Sequence, residues 1–222
     1  MVRARYRRHQ SNQPVVLVFG ESLNDARAVK TLIVALCPSL QNRVKEQARP
    51  PSLQKSAGQQ PVTRWMLGLR QVVETVSRRR PIACVFVHLD SDGPDPHGRT
   101  AARTEASMRQ VGIDNGFAVV PVQEIESWWL MYPEATERLR TPWSGTLPTS
   151  PRAVDMISGP KEELVRRTAR KDRRTAYAEA DSPDVARLVG SAIASGHPPT
   201  GTSPSFDRFK RSVAKCCTVQ GS

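Results

Sequence analysis

Two acidic clusters, each directly after an apolar run, are the residues of this chain best suited to chemistry. Glu21 follows the run Val15–Gly20, and Asp90 and Asp92 follow the run at residues 82–89. Short runs rich in Val and Ile that end in small polar residues are typical of buried parallel strands. Ligands of an open α/β sheet bind beyond the carboxyl ends of such strands, so we expect the three carboxylates to meet in one crevice.

Three carboxylates in one crevice repel one another unless a cation lies between them. Oxygen ligands of this kind favour hard divalent cations, so the sequence predicts a Mg²⁺ or Mn²⁺ site formed by Glu21, Asp90 and Asp92. His88 is the one histidine of the sequence near these acids. Its place in the apolar run is typical of a packed strand residue, and a role as a base is the alternative.

A second acidic pair, Glu124 and Glu126, stands where a strand predicted at residues 117–122 leads into a helix. Acids at the start of a helix can simply complement the helix dipole. The adjacent Trp128 and Trp129 would pack that helix, however, and this makes it a poor place for charge without a function. We therefore predict a site role for at least one of the two glutamates.

The elements that would position these acids follow a β-α alternation. Strands are predicted at residues 15–20, 82–89 and 117–122, with a weak polar edge strand at 43–47. Helical periodicity or flanking residues predict helices at residues 24–36, 63–79, 99–111, 161–170 and 182–194, and a last helix that opens at 203–209. Residues 49–61, rich in Pro, Gln and Ser, are predicted to form a loop.

This pattern predicts an α/β protein with an open parallel sheet of about four strands flanked by helices and a C-terminal helical appendage. We expect a basic disordered arm at residues 1–13 and an α/β core at residues 14–140. Residues 141–222 would form a Pro-rich connection and a helical extension packed on the core.

The charge balance favours a polyanionic partner. Lys and Arg number 33 against 21 Asp and Glu, a net charge of +12, and most of the cations are Arg. Arg suits phosphate, although Arg-rich codon usage is an alternative explanation. The densest basic cluster, which we predict to contact nucleic-acid phosphates or else to be a solvated helix face, consists of Arg166, Arg167, Arg170, Lys171, Arg173 and Arg174.

Signals for membranes, export and cysteine chemistry are weak. The basic N-terminus leads into a strand without an apolar signal-peptide core, and no apolar run reaches the roughly 18 residues needed to span a bilayer. We therefore expect a cytoplasmic protein without a membrane partner.

The cysteines have no CxxC spacing, so the sequence predicts neither a zinc site nor a disulfide framework. They are Cys37, Cys84, Cys216 and Cys217.

The acidic motifs and several later motifs resemble those of a known protein family. A Glu that ends strand one with Asp25 four residues later, and an Asp-x-Asp that ends a later strand, resemble the Toprim domain of topoisomerases, primases and OLD-family nucleases. Three further motifs in order are similar to small stand-alone Toprim-like bacterial proteins of the DUF4276 type: Glu-Ile-Glu-Ser-Trp-Trp-Leu at 124–130, Gly-Pro-Lys-Glu-Glu-Leu at 159–164 and Ser-Pro-Ser-Phe at 203–206. The resemblance covers about residues 14–214, and it departs from the Toprim pattern at Ser22, where a Gly is usual.

The resemblance implies a Mg²⁺-dependent nuclease that cuts DNA or RNA, and it suggests an effector in phage defence with a partner ATPase or another defence protein. Asp90 and Asp92 would be metal ligands, and Glu21 a ligand or the general base. Glu126 or Glu124 would complete a second metal site. Lys161 would stabilise charge on the phosphate, unless it is only a solvated residue at a helix start.

Two other function classes fit the sequence less well. A Toprim-like nucleic-acid-binding or regulatory protein without turnover would have no use for an intact acidic set. A phosphoryl-transfer enzyme acting on a small nucleotide would gain less from the net charge of +12, because counterion release favours polyanions.

Overall fold

The structure is a computed structural model that describes residues 13–48, 61–91, 93, 95 and 97–218. The predicted arm at residues 1–13 and the predicted loop at 49–61 lie almost entirely outside these ranges. Asp92, one of the predicted metal ligands, also lies outside the described residues.

The sheet has four parallel strands, in the order β2-β1-β3-β4. The strands are β1 Val15–Gly20, β2 Val44–Ala48, β3 Ile82–His88 and β4 Gly116–Val119. All six residues of β1 are buried, which explains its unbroken apolar sequence. The edge strand β2 tolerates the exposed Lys45. Polar residues of this kind gave β2 only a weak strand pattern in the sequence.

Helices cover both faces of the sheet. They are α1 Leu23–Leu36, α2 Pro61–Ser77, α3 Arg99–Gln110, α4 Glu126–Trp129, α5 Pro133–Glu137, α6 Pro160–Thr168, α7 Ser182–Ala194 and α8 Pro204–Thr218. The predicted α/β class, the four-stranded parallel sheet and the C-terminal helical region are confirmed, and the arrangement is consistent with the predicted Toprim-like fold. In the described ranges, none of the helices is long and apolar enough to cross a membrane.

Alternate residues of the strands face two separate cores, as the period of two in a strand requires. On one face Val16, Val18 and Phe86 pack beneath α1, α7 and α8. On the other face Leu17 and Val85 pack against α2.

An aromatic group joins the C-terminal helix to the sheet and to α4. The ring centroid of Phe209 lies 6.4 Å from that of Phe86 in β3 and 5.3 Å from that of Trp128 in α4. The Trp128 indole Nε1–H also donates a hydrogen bond of 3.0 Å to Ser205 Oγ. The extension therefore fixes α4, the helix that begins with Glu126.

Two disulfides also fasten α8 to the core, so the expectation of no disulfide framework is wrong. Cys217 bonds to Cys37 at the end of α1, and its neighbour Cys216 bonds to Cys84 in β3. The Cα–Cα distances are 6.3 and 6.1 Å, within the usual range for disulfides. Partners that are 180 and 132 residues apart cannot be matched from spacing along the chain.

Candidate metal site

The strand order reverses between β1 and β3, because β2 lies on one side of β1 and the later strands lie on the other. A reversal of this kind opens a crevice at the carboxyl ends of the two strands. Phe19 of β1 is level with Val87 of β3 in the register. Glu21 and Asp90, which follow the two strands, therefore lie at neighbouring strand ends, as predicted.

Asp90 lies among other acidic side chains. Its pKa is raised to about 8, first by burial and then by the negative charges of Glu21, Asp25, Glu126 and Glu124, in order of effect. These negative charges act on Asp90 because their carboxylates lie near it. The chain thus brings carboxylates from three separate segments to one edge of the sheet, and we call these five residues the acidic cluster.

One carboxylate oxygen of Asp90 is free to accept a hydrogen bond or to bind a cation. Its Oδ1 atom is buried and accepts no hydrogen bond from the described part of the chain. His88, which is 1% exposed at the end of β3, places Nε2 3.4 Å from this oxygen, beyond a good hydrogen bond. A buried carboxylate oxygen of this kind is stabilised by a proton or by a cation.

Glu126 is the most deeply buried acid of the cluster, at 4% exposure. The Tyr177 hydroxyl donates a hydrogen bond of 2.8 Å to its Oε1 atom. Burial raises the pKa of Glu126 to about 7, although the hydrogen bonds from Tyr177 and from its own backbone act in the opposite direction. Near neutral pH this carboxyl group can therefore hold or release a proton.

Glu124 has a different environment, at the N-terminus of α6. Its Oε2 atom accepts a hydrogen bond of 3.3 Å from the Lys161 backbone N–H, and Gln123 Oε1 accepts one of 2.7 Å from Gly159 N–H. Burial raises the pKa of Glu124, and the charge of Lys161 opposes this. Glu124 therefore caps a helix, and Glu126 is the better candidate of the two for a ligand.

Gln123 holds an unusual backbone conformation beside the cluster. Its φ of 63° is the one positive value at a non-glycine residue among the described residues. Its N–H donates a 2.7 Å hydrogen bond to Ser91 Oγ, which ties the segment after β4 to the segment after β3. Strained backbone of this kind is enriched at functional sites. Nothing in the sequence marks this position, because the strain comes from tertiary contacts.

Ser22 and Asp25 form the N-terminal cap of α1, a role that the sequence reasoning missed. The Ser22 N–H and Oγ–H both donate to Asp25 Oδ2 at 2.8 Å, and Asp25 N–H donates to Ser22 Oγ at 3.2 Å. The spacing Ser-x-x-Asp is the capping-box signature and could have revealed it. Ser22, the departure from the Toprim pattern, thus fixes Asp25 next to Asp90.

Lys161 lies at the edge of the acidic cluster, and its ammonium group is already paired. Its Nζ atom donates to Glu179 Oε2 at 2.9 Å. Burial lowers its pKa, but that hydrogen bond and the charges of Glu126 and Glu124 outweigh burial and raise it. Lys161 is near the predicted site, and it must leave Glu179 before it can contact a phosphate.

The predicted basic cluster divides into two parts. Arg166 and Arg167 both pair with Glu163 on α6, and Lys171 donates to the carbonyl oxygen of Ser144. The other three side chains are exposed and form no ion pair with the described residues: Arg170, Arg173 and Arg174. The exposed three are the ones available to a polyanion.

The acidic cluster is not a ready coordination site. Within the described ranges, no three His, Cys, Asp or Glu side chains are grouped closely enough to hold a metal ion. The donor set still fits a hard cation in its chemistry, since it consists of carboxylates and one of them, Asp90, has a buried oxygen without a hydrogen-bond partner among the described residues. No protein-family model, curated protein or solved structure matches the chain, so membership of the Toprim-like family stays a prediction from the sequence motifs.

Proposed function

We propose that this protein is a Mg²⁺- or Mn²⁺-dependent phosphodiesterase that cuts DNA or RNA, with the acidic cluster as its active site. The observation that carries the proposal is the buried carboxyl group of Asp90 beside four other acids. Burial first, and then their negative charges, raise its pKa to about 8. Such crowding is destabilising without a counter-charge, and a divalent cation supplies one. The motif resemblance to Toprim-type nucleases supports the same reaction and suggests an effector in phage defence.

In this proposal Asp90 and Glu126 hold the cation, together with Asp92. When bound, the cation would stabilise negative charge on the phosphate and make a nearby water molecule more acidic. Glu21, half-buried at the end of β1, is the candidate general base for that water. Lys161 would release Glu179 and bind a phosphate oxygen instead.

The path of the chain favours a polymer over a small phosphate ester. The segment from α6 to Tyr177 is held at the acidic cluster by both ends, through Lys161 N–H on Glu124 and the Tyr177 hydroxyl on Glu126. Arg170, Arg173 and Arg174 lie on this segment and are exposed. A strand of several nucleotides with one phosphate at the cluster can also contact these cations, and it gains more from them than a small phosphate ester does.

The test is to incubate the protein with labelled plasmid, single-stranded DNA and tRNA, in Mg²⁺, Mn²⁺ or EDTA. We expect cleavage of at least one substrate with metal and none in EDTA. Asp90→Asn should be inactive, and Asp184→Asn on the exposed face of α7 is the matched control that should cleave normally. Wild-type protein that leaves every substrate intact with either metal would overturn the proposal.

The cleavage assays should be run with and without a reductant. The sequence predicts a cytoplasmic location, yet disulfides are uncommon in that compartment. A requirement for reduced or for oxidised protein would show which redox state is active. The expectation of a partner ATPase is tested by whether the purified chain cleaves alone.

A Toprim-like protein that binds nucleic acid without cutting it is the second candidate. It is favoured by one observation, that the described carboxylates are not grouped tightly enough to hold a metal ion. Metal-independent binding of nucleic acid, with no cleavage in any condition, is the result expected for that candidate.

A further inference from the structure

Tyr177 is a buried tyrosine whose hydroxyl points at the most buried acid of the cluster. It is 3% exposed, and its hydroxyl donates to Glu126 Oε1 at 2.8 Å. A phenol keeps its proton at neutral pH, so the hydroxyl acts as a hydrogen-bond donor to Glu126.

The surroundings of Tyr177 fix the direction of this donor. Its backbone N–H donates to Thr168 Oγ1 at 2.8 Å, and its ring centroid lies 6.3 Å from that of Trp143. The Trp143 indole Nε1–H in turn donates to the carbonyl oxygen of Thr175 at 2.6 Å. A donor held from both its backbone and its ring can hold a carboxylate in one rotamer.

We propose that Tyr177 is a positioning residue that orients Glu126 for metal binding, an inference that rests on the proposed function. A carboxylate ligand binds best when a second group already holds its plane, because less rotational freedom is then lost on binding. The hydrogen bond uses one lone pair of Oε1, and a carboxylate offers about four. Removal of such outer partners typically weakens metal affinity about 10- to 100-fold.

Tyr177→Phe isolates this role, since it keeps the buried ring and removes only the hydroxyl. Tyr132→Phe is the matched control: Tyr132 is 7% exposed and its hydroxyl forms no hydrogen bond to the described residues. Metal affinity would be measured by titration with Mn²⁺, and folding by circular dichroism in EDTA. We expect the dissociation constant to rise about 10- to 100-fold in Tyr177→Phe and to be unchanged in Tyr132→Phe.

A double-mutant cycle separates positioning from a general structural effect. If Tyr177 acts through Glu126, adding Tyr177→Phe to Glu126→Gln should weaken Mn²⁺ binding no further than Glu126→Gln alone. Additive losses would show that Tyr177 acts elsewhere and would overturn the inference. Should Tyr177→Phe fail to fold, Thr168→Val shifts the same tyrosine by removing the acceptor of its N–H, and it should also weaken binding.

Mn²⁺ binding by the wild type and by Tyr177→Phe distinguishes a failure of this inference from a failure of the proposed function. Wild-type protein that binds Mn²⁺, together with a Tyr177→Phe variant that binds it equally well, removes the positioning role and keeps the metal site. Wild-type protein that binds no Mn²⁺ at all removes the metal site itself, and with it the role of Tyr177.

Discussion

Asp90 links the acidic cluster to the pH dependence of stability. Its pKa is about 8 in the folded protein, against 3.8 for an unperturbed aspartate. Between these values the folded state binds more protons than the unfolded state, so the free energy of unfolding falls as pH rises. One such group contributes at most about 1.4 kcal/mol per pH unit. Glu126, with a pKa near 7, acts in the same direction over the lower part of this range.

We therefore predict that the metal-free protein loses stability from about pH 4 to about pH 8, as acids with raised pKa values require. Urea unfolding in EDTA across this range measures the effect. Asp90→Asn should reduce the slope and be more stable than wild type at the alkaline end, and Mg²⁺ should restore wild-type stability there. A stability profile that is equally steep in Asp90→Asn would contradict the assignment.

The backbone of Gln123 gives a second prediction at the scale of one residue. With φ at 63°, Gln123→Ala should lose the hydrogen bond to Gly159 N–H and keep the backbone strain, whereas Gln123→Gly loses the bond and relieves the strain. The Gly variant should thus be more stable than the Ala variant by about 1 kcal/mol in urea unfolding. At Gln71 in the helix α2 the order should be the opposite, with Ala the more stable by about 1 kcal/mol.

The position of the main acids was predictable, and their detailed contacts were not. Glu21 and Asp90 follow short Val-rich apolar runs of the kind typical of buried strands, and parallel strands end at one edge of the sheet. The pairing of Tyr177 with Glu126 joins residues that are 51 apart in sequence. No local pattern carries such information, because it depends on how the extension packs against α4.

At the scale of elements, the segment after α6 carries the exposed cations. We predict that changing Arg170, Arg173 and Arg174 together to Ala weakens binding to all nucleic-acid sequences alike, since phosphate contacts do not read bases. The slope of log K against log salt should shrink by about 0.7 to 0.9 for each phosphate that the variant no longer neutralises. Fluorescence anisotropy with labelled DNA at several salt concentrations measures both effects.

The matched control for this triple variant is Arg187→Ala on α7. Arg187 is exposed, pairs with Asp184, and lies outside the segment between α6 and Tyr177. It should leave the salt slope unchanged. An unchanged slope in the triple variant as well would show that the segment is only a solvated surface.

Most elements were predictable because their apolar residues form clear patterns, either a helical repeat or an unbroken buried run. The helix α7 matches its predicted bounds at residues 182–194, and β1 matches at 15–20. By contrast α5 was missed, because five residues are too few to show a helical repeat. Short helices of this kind form where tertiary packing holds them.

At the scale of the whole molecule, the disulfides add stability that the core alone does not supply. They close loops of 180 and 132 residues, and loops of this length are expected to stabilise by about 2 to 5 kcal/mol each. We predict that a reductant lowers the free energy of unfolding by several kcal/mol. Urea titrations with and without dithiothreitol measure this change. A variant with all four cysteines changed to Ser should not respond to the reductant, and an equal response there would contradict the assignment.

The adjacent cysteines at the end of α8 have a further consequence for limited proteolysis. Cys216 and Cys217 reach back to β3 and to the end of α1. Any single backbone cut between Cys37 and Cys216 therefore leaves both pieces covalently joined. Nicked protein should run as one band on a non-reducing gel and separate into two fragments only after reduction, so a protease map made without a reductant would miss the accessible sites.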